Sequence, residues 1–98
     1  MTLEIRQDWI CPNLRPYWQL GKVPNTNQLI LCSPWSQIQC SVSPIEAHIL
    51  RYFTGQFTLE QVQQQCQQIF NNISPTLVTE FIQNLVDCQI LSLDAVEP

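Results

Sequence analysis

The sequence predicts an α+β fold of winged-helix-like form, with a three-stranded antiparallel sheet followed by three helices. Three observations carry this. Short apolar runs separated by proline, glycine and asparagine fill residues 17–42. Two S/T-x-x-E/Q capping boxes, Ser43 with Glu46 and Thr58 with Gln61, mark helix starts. Gly55 stands between them as a helix stop.

The totals set the frame. Ninety-eight residues, 45% of them hydrophobic, suit one domain with one modest core and leave no room for a second. The chain divides into an N-terminal arm (1–16), a sheet (17–42), a three-helix part (43–91) and a tail (92–98) expected to be loose. Eight acids against four bases give a net charge of −4, which argues against a nucleic-acid footprint. Charged residues make up 12% of the chain, too few for a disordered protein given its hydrophobic content. No apolar run reaches the roughly 18 to 20 residues of a membrane helix, and the first residues lack a signal-peptide pattern. Five cysteines, odd in number and without a CxxC pair, fit neither a disulfide framework nor a zinc site. The expected compartment is the cytoplasm, with thiols reduced and no metal or cofactor.

The elements follow in order. Pro12, Asn13 and Pro16 break the arm after the cluster Trp9, Ile10 and Cys11. "YWQL" (17–20) reads as a first strand, and "GKVPNTNQ" as its turn. "QLILCS" (28–33) is apolar on both faces, as a central strand requires. "QIQCSV" (37–42) alternates, with Ile38, Cys40 and Val42 on one face and Gln37, Gln39 and Ser41 on the other. A meander of these three makes the third an edge strand.

Ser43, Pro44 and Glu46 open the first helix, whose apolar positions are Ile45, Ile49, Leu50 and Phe53. The second spans about 59–70 on the stripe Leu59, Val62, Cys66, Ile69 and Phe70, and its glutamines form a solvated face. Asn71 and Asn72 end it, Ser74 is the expected cap of the third helix, and Pro75 its first residue. The third helix runs to about Asp87 with a broad apolar set: Leu77, Val78, Phe81, Ile82, Leu85, Val86 and Cys88. "QILSL" is expected to be extended.

A helix, a glycine corner and a second helix invite a DNA-binding interpretation. The helix in the recognition position, 75–88, has no basic residue and carries Glu80 and Asp87 on its outer face. The bases Arg6, Arg15, Lys22 and Arg51 are scattered. Catalysis is equally poorly supplied. His48 is the only histidine, and the chain's two glycines, Gly21 and Gly55, cannot form a phosphate loop. Cys32 and Cys40, on neighbouring strands, read as packing residues and not as a redox couple. The chain is read as non-catalytic.

Binding remains. An edge strand can offer free N–H and C=O groups to an extended peptide while a wide apolar helix face forms the opposite wall. The candidate peptide-binding residues are Gln37, Ile38, Gln39, Cys40 and Ser41 on the strand, and Leu77, Glu80, Phe81, Asn84 and Leu85 on the third helix. Of these, Leu77, Phe81, Leu85, Ile38 and Cys40 are the expected apolar floor. Glu80 and Asn84 are the polar rim.

"LILCSP", then "SPIEAHILRYFTGQFTLEQV", then "VTEFIQNLVDCQIL" give the chain its resemblance to the PqqD-like family, the RiPP recognition elements of ribosomal peptide maturation. The similarity covers roughly residues 12–91. It implies a free-standing accessory subunit that takes a leader peptide as a fourth strand beside strand three and against the third helix. It also implies a partner maturation enzyme, commonly a radical S-adenosylmethionine enzyme that carries the iron–sulfur cluster itself, with a leaning towards the tyramine-excising spliceases. One position departs from the family pattern: Gln89 stands where the family tends to have glycine. The expected partners are therefore a precursor peptide and that enzyme, with no nucleic acid or membrane, in a monomer or homodimer. A protein–protein module or homodimer using the same edge without leader binding is the alternative, and a winged-helix DNA-binding protein the third.

Overall fold

The computed structural model describes residues 5–14 and 16–96, and has the α+β arrangement of a three-stranded antiparallel sheet followed by helices. The strands are β1 (Gln19–Lys22), β2 (Leu29–Cys32) and β3 (Gln39–Val42), in the order β1-β2-β3. Leu31 is paired with both Leu20 and Cys40. Leu31, Cys40 and Val42 are buried, so one face of the sheet closes on the core.

The first strand lies two residues later than expected. Tyr17 and Trp18 both donate their backbone N–H to the carbonyl of Leu14, forming a turn and not a strand. The hairpin is closed by the N–H of Val23 on the Gln28 carbonyl at 3.0 Å, which draws Gly21 and Lys22 into the ladder. Asn25, in the turn, takes a left-handed φ of 63°, a conformation asparagine tolerates better than most residues.

The first capping box forms in full. Ser43 Oγ accepts from the Glu46 N–H at 3.1 Å, and Glu46 Oε1 accepts from the Ser43 N–H at 2.8 Å. Helix α1 (Pro44–Ile49) tightens into a 3-10 turn (Leu50–Tyr52) before Phe53. Gly55 then turns the chain at φ 83°. The second box is also complete, with Thr58 Oγ1 accepting from Gln61 at 3.2 Å and Gln61 Oε1 from Thr58 at 2.9 Å. It opens α2 (Leu59–Ile69), which buries Leu59, Val62 and Cys66.

Helix α3 (Leu77–Asp87) starts two residues after Pro75, with Thr76 at its N-cap and no side-chain cap of its own. Ser74 instead organises the preceding turn, its Oγ accepting from Thr76 at 3.1 Å and its carbonyl from Leu77 at 3.2 Å. The missing cap comes from α2. Gln63 Oε1 accepts from the Val78 N–H at 3.0 Å, while Gln63 Nε2 donates to the Ser74 carbonyl at 3.0 Å. The glutamine face therefore contains one residue that joins two helices, where the sequence pattern suggested a uniformly solvated tract.

At the far end α3 closes in a Schellman motif: Ile90 N–H donates to the Leu85 carbonyl at 2.9 Å and Gln89 N–H to that of Val86 at 3.0 Å. Gln89 adopts φ 67°, the conformation in which glycine is normally found. The segment after α3 is thus a turn and not an extended piece. The tail is anchored through residue 96, because Leu93–Val96 form a short helix, α4, and Val96 lies in the core. The last two residues lie outside the described part of the chain.

Ile49, Phe53, Leu59, Val62, Val78, Phe81, Ile82 and Leu85 are fully buried and bring the helices onto one centre. The rings of Phe53 and Phe81 meet edge to face at 6.0 Å.

Candidate peptide-binding site

β3 is an edge strand. Its ladder runs to β2 alone, so alternate residues of Gln39–Val42 turn their backbone N–H and C=O groups away from the sheet. Among the described residues, these groups make no backbone–backbone hydrogen bond outside that ladder, and the Ser41 carbonyl accepts from the Cys40 thiol at 3.7 Å. Gln39 and Ser41 present exposed side chains, whereas Cys40 is directed into the core. Ser41 Oγ accepts from Gln28 Nε2 at 2.7 Å, across the wet face. Gln37 and Ile38 precede the strand in the turn, where the Ile38 N–H donates to Ser36 Oγ at 3.1 Å. Gln37 is exposed and Ile38 half-buried.

Two contacts bring α3 towards this end of the sheet. The Cys88 thiol, at the C-cap, meets the Cys40 sulfur at 2.9 Å. One turn earlier, Asn84 Nδ2 donates to Glu46 Oε2 at 3.4 Å, beside the residues that follow β3. Leu77, Glu80, Asn84 and Cys88 recur at three- and four-residue steps and so share one stripe of the helix. Glu80 and Asn84 are exposed and Leu77 half-buried. This stripe, not the centre of the apolar face, is what α3 can offer a ligand lying along β3.

The expected apolar floor is corrected accordingly. Phe81 retains 1% of its exposure and Leu85 none, because the centre of the apolar face packs on the core and leaves no surface for a peptide. Cys40 is also buried. Of the ten predicted residues, Gln37, Ile38, Gln39, Ser41, Leu77, Glu80 and Asn84 keep accessible side chains. The sequence reading omitted Cys88 from the site. Its position four residues after Asn84 was the available signal.

The site is acidic where it is charged: Glu46, Glu80 and Asp87 lie on α1 and α3. Of the bases, Arg6 pairs with Asp8 at 3.0 Å on the surface, Lys22 is on β1, Arg51 is in the 3-10 turn and Arg15 lies outside the described residues. Burial, chiefly, pushes the Cys40 thiol up to about 12; the Cys88 thiol and the charge of Glu46 act in the same direction.

Other groups were possible sites. His48 lies edge-on to Tyr52 and Phe70, at 5.6 and 5.2 Å, with its Nε2 buried and unbonded. Among the described residues, no carboxylate orients it. An apolar concavity of about 210 Å³ lies between β1, β2 and α1, with Trp18, Leu20, Leu31, Leu50 and Arg51 among its lining residues. None of the predicted site residues lines it. Trp35, in the turn before β3, is 81% exposed. Among the described residues, no group of three or more histidine, cysteine, aspartate or glutamate side chains is placed to hold a metal, and no helix is long and apolar enough to cross a membrane.

The geometry is that of an unpaired strand edge flanked by a partly exposed helix stripe. No protein-family model matches the chain, and no curated protein or solved structure matches it.

Proposed function

We propose that the chain binds the leader region of a ribosomally made precursor peptide by β-strand addition and presents it to a partner maturation enzyme of the radical S-adenosylmethionine class. The unpaired edge of β3 beside α3 is the observation that supports this reading. An incoming strand takes its affinity from the outward backbone groups of Gln39–Val42. Ile38 and Leu77 give apolar contacts, and Gln37, Gln39, Ser41, Glu80 and Asn84 form the polar border.

The physical effect is tethering. A held leader raises the effective concentration of the core peptide at the enzyme, so catalysis gains without a catalytic group in this chain. A micromolar complex needs about 8 kcal/mol net, and ordering a free leader consumes about 2 to 5 of the gross interaction. A short ladder with two apolar contacts fits that modest requirement. On this reading the protein works in the cytoplasm, where precursor peptides are made.

An amide-NMR titration with leader peptides encoded beside the gene tests the proposal. The expected shifts cluster on residues 37–42 and on the stripe of Leu77, Glu80, Asn84 and Cys88. A saturating leader that leaves both segments unmoved overturns it. Concentration-dependent shifts on β3 without peptide would instead assign the edge to self-association.

A further inference from the structure

The contact between Cys40 and Cys88 joins residues 48 apart in sequence, one in an edge strand and one at a helix end. Their sulfurs lie 2.9 Å apart, and a disulfide needs them at about 2.0 Å. The other thiols are placed differently. Cys11 and Cys66 have no exposed surface. Cys32 is paired with Gln39 while Leu31 is paired with Cys40, and successive side chains of a strand alternate faces, so Cys32 lies on the opposite face of the sheet from Cys40.

We propose that Cys40 and Cys88 form a redox-modification site at which hydrogen peroxide converts the two thiols into a reversible disulfide tying β3 to the end of α3. Cys88, the half-exposed member, meets the oxidant first. Its sulfur attacks the peroxide, an S–O bond forms as the O–O bond breaks, and water leaves, giving a sulfenic acid. The Cys40 sulfur then attacks that of Cys88. The S–S bond forms, the S–O bond breaks, and the departing hydroxyl takes the Cys40 proton as a second water. Two electrons pass from the thiol pair to the peroxide. Burial of Cys40 keeps its thiol protonated and protected from direct oxidation, leaving it to act as the resolving partner. The site stands on this geometry and does not rest on the peptide-binding reading. The tie would nevertheless cross between the two walls proposed for the leader.

The test is treatment of the full-length protein with hydrogen peroxide, quenching with an alkylating agent, and non-reducing peptide mapping by mass spectrometry. The expected product is an intramolecular Cys40–Cys88 cross-link, two hydrogens lighter than the reduced chain and reversed by dithiothreitol. Cys32→Ser should leave the product unchanged, and Cys88→Ser should abolish it. The proposal is overturned if wild-type protein over-oxidises Cys88 while Cys40 remains alkylatable, or if the cross-links join other cysteines or separate chains.

Discussion

The backbone N–H of Gly55 donates to the carbonyl of Cys11 at 2.9 Å, fastening the N-terminal arm to the corner between the first two helices. The arm continues along that corner. Cys11 N–H donates to the Phe57 carbonyl at 2.9 Å, Leu59 N–H to that of Trp9 at 2.8 Å, and Ile10 bridges Thr58. Backbone groups that a helix-turn-helix corner would leave to water are therefore occupied by the chain itself, and Cys11 is sealed beneath them with 0% exposure.

Gly55→Ala tests the cost of this corner. The left-handed φ of 83° disfavours any side chain, but a Cβ would meet its nearest neighbour, Asn13, at an ordinary 3.9 Å. The penalty is therefore conformational, about 1 kcal/mol. Urea unfolding should show a lower midpoint with an unchanged slope. A loss of several kcal/mol would mean that the arm detaches as well.

Gln63 offers a second test. Its amide supplies an acceptor to the Val78 N–H and a donor to the Ser74 carbonyl, the only side-chain cap that α3 receives among the described residues. Gln63→Ala should cost about 1 to 2 kcal/mol, a cap-sized loss. Gln64→Ala, on an exposed neighbour, should stay within about 0.5 kcal/mol of the parent. Equal effects at the two positions would show that the α2–α3 link contributes nothing.

These residues also show where sequence reading succeeds and stops. Both capping boxes and Gly55 were legible because the groups that cap each helix end lie within a few residues of one another. Gln63 was not, since its partners lie 11 and 15 residues away and only tertiary packing brings them together. Gln89 is a related case. Its sequence gives no glycine signal, yet the helix end places it at φ 67° because Ile90 and Leu91 must turn back into the core. The alternation of β3 correctly separated exposed Gln39 and Ser41 from Cys40. The apolar width of α3 was legible too, but its meaning was not: only tertiary packing, with Phe53 edge-on to Phe81, shows that Phe81 and Leu85 are consumed by the core.

That distinction sets the mutational pattern at the candidate site. Phe81→Ala should destabilise by about 3 to 5 kcal/mol and Leu85→Ala by about 2 to 5, large fractions of a typical domain's stability. Glu80→Ala and Asn84→Ala should cost less than about 1 kcal/mol, since among the described residues the side chain of Asn84 makes one hydrogen bond, a long, exposed contact with Glu46. If the stripe takes a leader, the latter pair should weaken binding without lowering the unfolding midpoint. Loss of binding that followed stability across all four variants would remove the stripe from the site.

The buried thiols add a dependence on alkaline pH whose sign is fixed by geometry. Burial pushes the thiol of Cys11 from its ordinary value of 9.0 up to about 12, and raises that of Cys66. Between those pH values the unfolded chain releases the Cys11 proton while the folded chain keeps it, so the native state binds more protons and stability falls as pH rises. Below about pH 9 both states hold the proton, and the thiol adds no pH dependence. The slope for one such thiol approaches about 1.4 kcal/mol per pH unit. Urea midpoints of wild type and Cys11→Ala, measured from pH 7 to pH 10.5, isolate this contribution because other titrating groups cancel between them. The variant should begin less stable at pH 7, having lost buried volume, and the gap should narrow above pH 9. Parallel curves across the whole range would mean that Cys11 reaches solvent, and with it that the arm does not close over the corner as Gly55 and Cys11 require.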